Sequence, residues 1–428
     1  MRASNISDWY EVRIGDVAEL FGGSTPSSTD ITLWDGAIDW LSPSDITALQ
    51  EYTVTLTQTP KTITQRGYDS CATKMLPPGT VCVSSRATVG DCIILGREAC
   101  TNQGFVNVVC SDQLDAIFFL YWVRHNRNVF LRLAAGTTFD EIGRRSFRNI
   151  VLTQPIDVRE QKAIGNALRM LDSSIAATRS AIRAAEKLLQ SIMGEMLSGR
   201  VCSDGSTLAT SEFWTHDRLG NVPNRWEVRR LRELIRLKNG KSNITANLRP
   251  TCDSSHRFPV FGGNGMTGWS DRFFLSKETV VVGRVGEYCG AIHATPPNSW
   301  VTDNALYVEE RLAPLNVSFL FYLLTSLRLN RWKATTGQPK ITQSEILNIR
   351  VAFPQDEDEQ RAIADRLNAL HDLIRAKEAK ITALQRLKKS LMQNLLTGRM
   401  RLSPELIAEL AGNFEDKKVA TRDHATTP

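Results

Sequence analysis

The sequence predicts an α+β chain, with two pseudo-symmetric mixed α/β modules separated by two long antiparallel coiled-coil helices. Three observations predict it. The stretch Pro155 to Arg200 recurs without a gap as Pro354 to Arg399, at a constant offset of 199. Both copies carry apolar or small residues at alternating steps of four and three, the spacing of a coiled-coil seam. The segments before them instead hold short β-like runs punctuated by Gly, Pro and Asn.

The repeat divides the 428 residues into a first module (1–153), a first helix (154–200), a linker (201–222), a second module (223–352), a second helix (353–400) and a C-terminal segment (401–428). Within the modules the strand-like runs are Thr80 to Ser84, Cys92 to Leu95, Phe105 to Cys110, Thr279 to Val282 and Ala305 to Val308. Tyr10-Glu-Val-Arg13 echoes Trp226-Glu-Val-Arg229 at the start of each half, and Val81 to Arg86 echoes Val280 to Arg284. The first seam runs through Ile164, Leu168, Leu171, Ile175, Thr178, Ile182, Ala185, Leu189, Ile192 and Met196. The second repeats it through Ile363, Leu367, Leu370, Ile374, Ile381, Leu384, Leu391 and Leu395, interrupted by Lys377 and Lys388. Each helix is expected to span roughly 60 Å at 1.5 Å per residue and to end at a glycine suited to a left-handed cap, Gly199 or Gly398. Two equal copies favour mutual pairing, and an antiparallel pair brings pseudo-twofold symmetry. The linker, rich in Ser, Thr, Gly and Asp, reads as a connecting loop. After residue 402 a short helical pattern, SPELIAELAGNF, precedes a polar end, KKVATRDHATTP, expected to be mobile.

Composition narrows the class. With 42% hydrophobic and 23% charged residues, the chain is globular rather than fibrous or disordered. A net charge of +6 suits a polyanionic partner without requiring one. The eight cysteines form no C-x-x-C pair and no zinc-type spacing, so free thiols in a reducing cytosol are expected. The longest apolar run, Ile117 to Val123, falls far short of a membrane span, and the chain is expected to be cytoplasmic.

Catalytic signatures are missing. The Pro-Pro pairs at Leu76-Pro-Pro-Gly79 and Thr295-Pro-Pro-Asn298 lack the polar and aromatic partners of an adenine-methylating motif. Gly240-Lys241-Ser242 ends like a phosphate-binding loop, but Ile235 stands where the first glycine belongs. Asp356-Glu-Asp-Glu359 falls on the first turn of the second helix, where acids favour the helix dipole. No catalytic or metal-ligating residue is assigned. Polar and basic loop residues suit nucleic acid instead, because Arg, Asn and Gln pair bidentately with base edges while Ser, Thr and Lys hold phosphates. The candidates are Ser84, Ser85, Arg86, Thr88, Asn102, Gln103, Thr137, Arg144 and Arg145 in the first module, and Asn264, Arg284, Lys333, Gln338 and Lys340 in the second. Arg124, Arg127 and Arg148 add basic side chains to the first.

Two modules that each close on Pro-x-x-x-x-Glu-Gln and a Leu-x-Gly-Arg helix end resemble the specificity subunit of type I restriction-modification systems. The pieces that carry the resemblance are Pro155 with Glu160-Gln161, Pro354 with Glu359-Gln360, Ser84 to Gly90 and Thr101-Asn-Gln-Gly104, with looser counterparts at Gly283 to Gly286 and Thr302-Asp-Asn304. The resemblance implies that each module is a target recognition domain reading one half of an asymmetric two-part site in double-stranded DNA. It implies that the helices fix the spacer and dock two methyltransferase (modification) subunits, through Glu160, Gln161, Glu359, Gln360 and the seam residues Ile164, Leu168, Leu171, Ile175, Ile182, Ile363, Leu367, Leu370, Ile374 and Ile381. Restriction/translocase subunits would join that core, with S-adenosylmethionine, ATP and magnesium held by the partners and none by this chain. A coiled-coil scaffold between protein-binding modules, a self-contained modification enzyme, and the recognition subunit of another restriction-modification type stand as alternatives.

Overall fold

The structure, a computed structural model, describes residues 8–135, 141–202, 204–242, 248–332 and 339–412. It divides into two compact units, one drawn from Met1–Ser180 with Glu378–Pro428 and the other from Ala181–Lys377. The units therefore cut across the sequence repeat, since each takes the first half of one long helix and the second half of the other.

In the first unit a five-stranded sheet runs in the order Ala18–Gly22, Phe105–Cys110, Val81–Ser84, Cys92–Leu95, Thr55–Leu56. Its pairings are antiparallel except the last, which is parallel. A three-stranded sheet, Lys61–Ile63, Trp34–Leu41 and Cys100–Thr101, lies beside it in sequence. The helix Ala116–His125 is apolar almost all round, and Phe118 to Val123 are all buried in the core, as a helix without a polar face must be. Asp115 caps it, accepting from the amides of Ile117 and Phe118.

The second unit repeats this plan with a four-stranded sheet (Ile235–Asn239, Ala305–Arg311, Thr279–Gly283, Ile292–Thr295) and a three-stranded one (Gly265–Ser270, Phe258–Gly262, Trp300–Val301). Its buried helix is Val317–Ser326, capped by Asn316.

The long helices are Val158–Leu197 and Glu357–Leu395. Each emerges from a two-stranded ribbon joining the first and last strands of its module. Trp9 stands opposite Pro155 in one ribbon, and Trp226 opposite Pro354 in the other. This register corrects the echo read from sequence. Trp9, not Tyr10, is the counterpart of Trp226, and a one-residue slip in a strand reverses the face of every side chain.

The Glu-Gln pair at each helix start also takes a different role from the subunit docking expected of it. Gln161 is fully buried; its Oε1 accepts from the Asp115 amide at 2.9 Å, and its Nε2 donates to the carbonyls of Gln113 and Pro155. Gln360 does the same with the Asn316 amide at 2.8 Å and the carbonyls of Pro314 and Pro354. Glu160, buried, takes a bidentate pair of hydrogen bonds from Arg401, and Glu359 accepts from Arg225 and Trp226 Nε1. These four residues lock each helix to its own unit.

The helix-closing glycines have a steric reason. Gly199 and Gly398 adopt φ of 70° and 68°, where glycine alone is unstrained. A Cβ on Gly398 would come within 3.1 Å of the Trp9 ring, and one on Gly199 within 2.2 Å of Pro223 and 3.3 Å of Trp226. Each unit thus seats the end of the other repeat's helix on the tryptophan that opens its own module.

Every seam position is buried or half-buried. Ile164, Leu168, Ile363 and Leu367, however, pack into the module cores as well as along the seam. Within the first unit Asp172 meets Lys388 and Glu160 meets Arg401, so the helices run antiparallel there. The linker is more than a loop, for Phe213–His216 and Gly220–Pro223 form an antiparallel hairpin. The C-terminal helix is present as Pro404–Gly412, held where Asn166 Nδ2 donates to the Leu410 carbonyl at 2.7 Å. The polar end expected to be mobile lies outside the described residues.

Replacing Gln161 or Gln360 by Met keeps the volume and strands one amide and two carbonyls in each case. Each variant is expected to lose about 3 kcal/mol in denaturant titration, since buried polar groups left unpaired cost about 1–3 kcal/mol each. Equal losses from both variants would mark the two locks as equivalent.

Candidate nucleic-acid interface

In the first module four loops converge at one end of the sheets. The Ser85 amide donates to the Gly104 carbonyl, and the Ile142 amide to the Ser85 carbonyl, both at 2.9 Å. The Ser24 amide donates to the Thr101 carbonyl, and Thr25 Oγ1 donates to Gln103 Oε1 at 2.6 Å. Arg144 lies against Gly22, and Arg86 against Gly104. The tight turn through 85–90 needs Ala87 at φ 60° and Gly90 at φ 84°.

The second module repeats this wiring group by group. The Arg284 amide donates to the Asn304 carbonyl, the Ile341 amide to the Arg284 carbonyl, and the Lys241 amide to the Val301 carbonyl. Gly90 and Gly290 close their turns alike, by donating to the carbonyls of Ser84 and Gly283. Arg284 therefore occupies the slot of Ser85, not of Arg86. The loop frames are the same; their side chains are not.

The convergence sorts the candidates. Gln103, Arg144, Arg145, Asn264 and Lys340 are exposed, while Arg86, Thr88, Asn102 and Arg284 are half-buried at the loop edges. Asn102 spends its Oδ1 on the Gly104 amide. Ser84 and Ser85 are corrections, being 1% and 2% exposed. Ser84 Oγ donates to the Arg86 carbonyl, and both residues shape the turn from beneath. Arg124, Arg127 and Arg148 are likewise turned to the protein. Arg124 donates to the carbonyls of Glu51 and Thr53, Arg127 to that of Val89 with an ion pair to Asp91 at 3.0 Å, and Arg148 to that of Gly15. Thr137, Lys333 and Gln338 lie outside the described residues. Sequence reasoning missed Lys241, an exposed cation in the second cluster whose Nζ sits 4.5 Å from the Phe274 ring centroid. The signal available was Gly240 before it, matching Gly23 before Ser24.

Burial pushes the thiols of Cys92 and Cys100 up to about 11 and that of Cys110 up to about 12, so these sulfurs stay protonated at neutral pH. Asp356 Oδ1 accepts from the Asp358 amide at the second helix start, and Glu359 faces Arg225 and Trp226, so this acidic run is structural. Among the described residues no group of three or more His, Cys, Asp or Glu is placed to hold a metal ion. No helix among them is long and apolar enough to cross a membrane.

One frame used twice, with different polar loops on each copy, defines a two-module recognition protein. A model of the type I restriction modification DNA specificity domain matches residues 6–186 and 223–386, and the chain belongs to that family. It is thereby a specificity component of a type I restriction-modification system. The chain is 27% identical to the type I restriction enzyme MjaIX specificity subunit of Methanocaldococcus jannaschii over 238 residues, 55% of this chain and 53% of that one. The match thus spans about half the length of that relative. It is 22% identical to the type I restriction enzyme EcoprrI specificity subunit of Escherichia coli, over 89% of this chain and 91% of the relative. The crystal structure of the S subunit from M. genitalium shares the fold, with a TM-score of 0.65 at 18% identity over 92% of this chain and 98% of that one.

The frame itself is testable. A Cβ on Gly23 would lie 2.1 Å from the Asn102 carbonyl oxygen, and one on Gly240 2.0 Å from that of Thr302. Gly23→Ala and Gly240→Ala should each cost about 2 kcal/mol by overpacking. Gly143→Ala, with nothing within 4 Å of its Cβ, should leave the denaturant midpoint unchanged.

Proposed function

We propose that each module reads one half of an asymmetric two-part site in double-stranded DNA, and that the chain supplies sequence choice, not chemistry, to its complex. The observation that carries this is the matched loop frame, held by the same two backbone hydrogen bonds at Ser85 and at Arg284, with unmatched exposed side chains around it, Gln103 and Arg144 on one copy and Lys241 and Lys340 on the other. A frame kept constant positions loops on a repeating backbone, and changed side chains alter which base edges they meet. In the same reading the long helices set the spacer and dock two modification subunits on the surfaces the cores leave free. Those subunits would hold S-adenosylmethionine for adenine methylation; restriction/translocase subunits would add ATP- and magnesium-dependent cleavage. The work would take place in the cytoplasm, with the DNA.

Selection from random duplexes with the modification subunits present should enrich one motif of two fixed parts. Enrichment of a single block, or of none, would overturn the reading. Arg144→Ala and Arg145→Ala should each weaken binding, either at all sequences with a smaller salt slope if the side chain meets phosphate, or at one base position if it meets a base edge.

Exchanging residues 1–150 for another such module should change one half-site and leave the other intact. Lengthening the first helix by one heptad, about 10 Å, should change the spacer by about three base pairs at 3.4 Å each, with both half-sites retained.

A further inference from the structure

Lys388 sits at a seam position that the heptad reserves for an apolar side chain. Its Nζ lies 2.7 Å from Asp172 Oδ1, and the Asp172 side chain is 2% exposed. The other carboxylate oxygen accepts from Tyr121 Oη at 2.7 Å, and Arg124 stands 3.8 Å from it. Three elements of the first unit therefore meet on one buried carboxylate: the first helix, the second helix and the module's core helix Ala116–His125.

Nothing in the repeat demands this arrangement. By the offset of 199, the position equivalent to Asp172 is His371 and that equivalent to Lys388 is Leu189. In the second unit the matching core tyrosine, Tyr322, donates to the neutral Asn368 Oδ1. The charge pair thus occurs at one of two pseudo-equivalent places. Its neighbours along the seam are Ile381, Leu384, Leu391 and Leu395, so a slip from one seam position to the next, by three or seven residues towards the C-terminus or by four or seven towards the N-terminus, would set Asp172 against an apolar side chain. Pairing a first helix with a second copy of itself would set Asp172 against Leu189, and pairing two second helices would set Lys388 against His371.

We propose that the Asp172–Lys388 pair selects the pairing of the two unlike helices and fixes their register, making these positioning residues of the helix pair. A buried ion pair contributes little net stability over an apolar pair of similar volume, whereas a single buried charge without its partner is strongly unfavourable. The pair therefore discriminates against wrong alignments more than it strengthens the right one, the role a lone polar seam residue plays in coiled coils.

The test uses the full chain with Tyr121→Phe, Asp172→Leu and Lys388→Leu together. Arg124 keeps its carbonyl partners at Glu51 and Thr53, so no charge is stranded. Non-cysteine spin labels at the half-exposed Met170 and Leu387 report the register by pulsed dipolar spectroscopy, and light scattering reports the mass. The native chain should give one distance. The apolar variant should remain folded, with a thermal midpoint at or above the native one, and show either a second distance shifted by a heptad, about 10 Å, or a mass above the native one from exchange between chains. One native distance with the native mass would overturn the proposal. So would failure to fold, which would make the pair a stabilising element. A second variant, Asp172→Asn with Lys388→Gln, keeps polar side chains without charge and should give an intermediate second population; a stronger effect than that of the apolar variant would also overturn the proposal.

Discussion

A buried primary amide has two N–H groups and a carbonyl oxygen to satisfy, and Gln161 spends them on three backbone groups from two separate segments of its unit. One is the amide that begins the core helix, one the carbonyl just before it, and one the carbonyl of the proline that ends the ribbon. Gln360 repeats the geometry. The long helix therefore leaves its module in a direction set by hydrogen bonds in a dry interior, where an unmade bond is costly. The seam, the glycine caps and the tryptophan shelf all follow from that exit.

The same lock explains why the helices keep their register through the repeat while the modules drift. Helix residues answer to two constraints at once, since Ile164 and Leu168 belong both to the seam and to a module core. The loops answer to one, the backbone bonding of the frame. Ser85 and Arg284 occupy one slot because only their main-chain groups are used there.

Much of this was legible in the sequence. The seam showed as a four-three alternation because every position along it is buried or half-buried. Cys92–Leu95 showed because a strand buried on both faces is an unbroken apolar run, and Phe105–Cys110 showed as a run interrupted only at Asn107. The hairpin Phe213–His216 with Gly220–Pro223 did not, since two short strands among Ser, Thr, Gly and Asp carry little apolar signal. The burial of Ser84 and Ser85 was hidden for a different reason. A hydroxyl bonded to a carbonyl two residues away looks, in sequence, like one waiting for a ligand. Thr137, Lys333 and Gln338 lie outside the described residues. The lysine at 388 was visible as a break in the pattern, but its partner was not, because Asp172 reads as an ordinary solvated acid until the opposite helix is present.

That last case bears on how a duplicated chain stays ordered. Two similar helices with equal seams could pair in several ways, and apolar contacts, being non-directional, separate those arrangements poorly. The two buried glutamines fix each helix to its own module and do not by themselves set how one helix slides along the other; contacts across the pair do that. Arg401 on buried Glu160 sets one end of the alignment in the first unit, and Lys388 on Asp172 sets it again some three turns further along. One charge pair between the two helices and another just beyond the end of the second define both position and direction, which one pair cannot. The cost is a seam that is less apolar than it could be. The gain is a single alignment among many of similar apolar area, and a frame so aligned leaves the loops free to change.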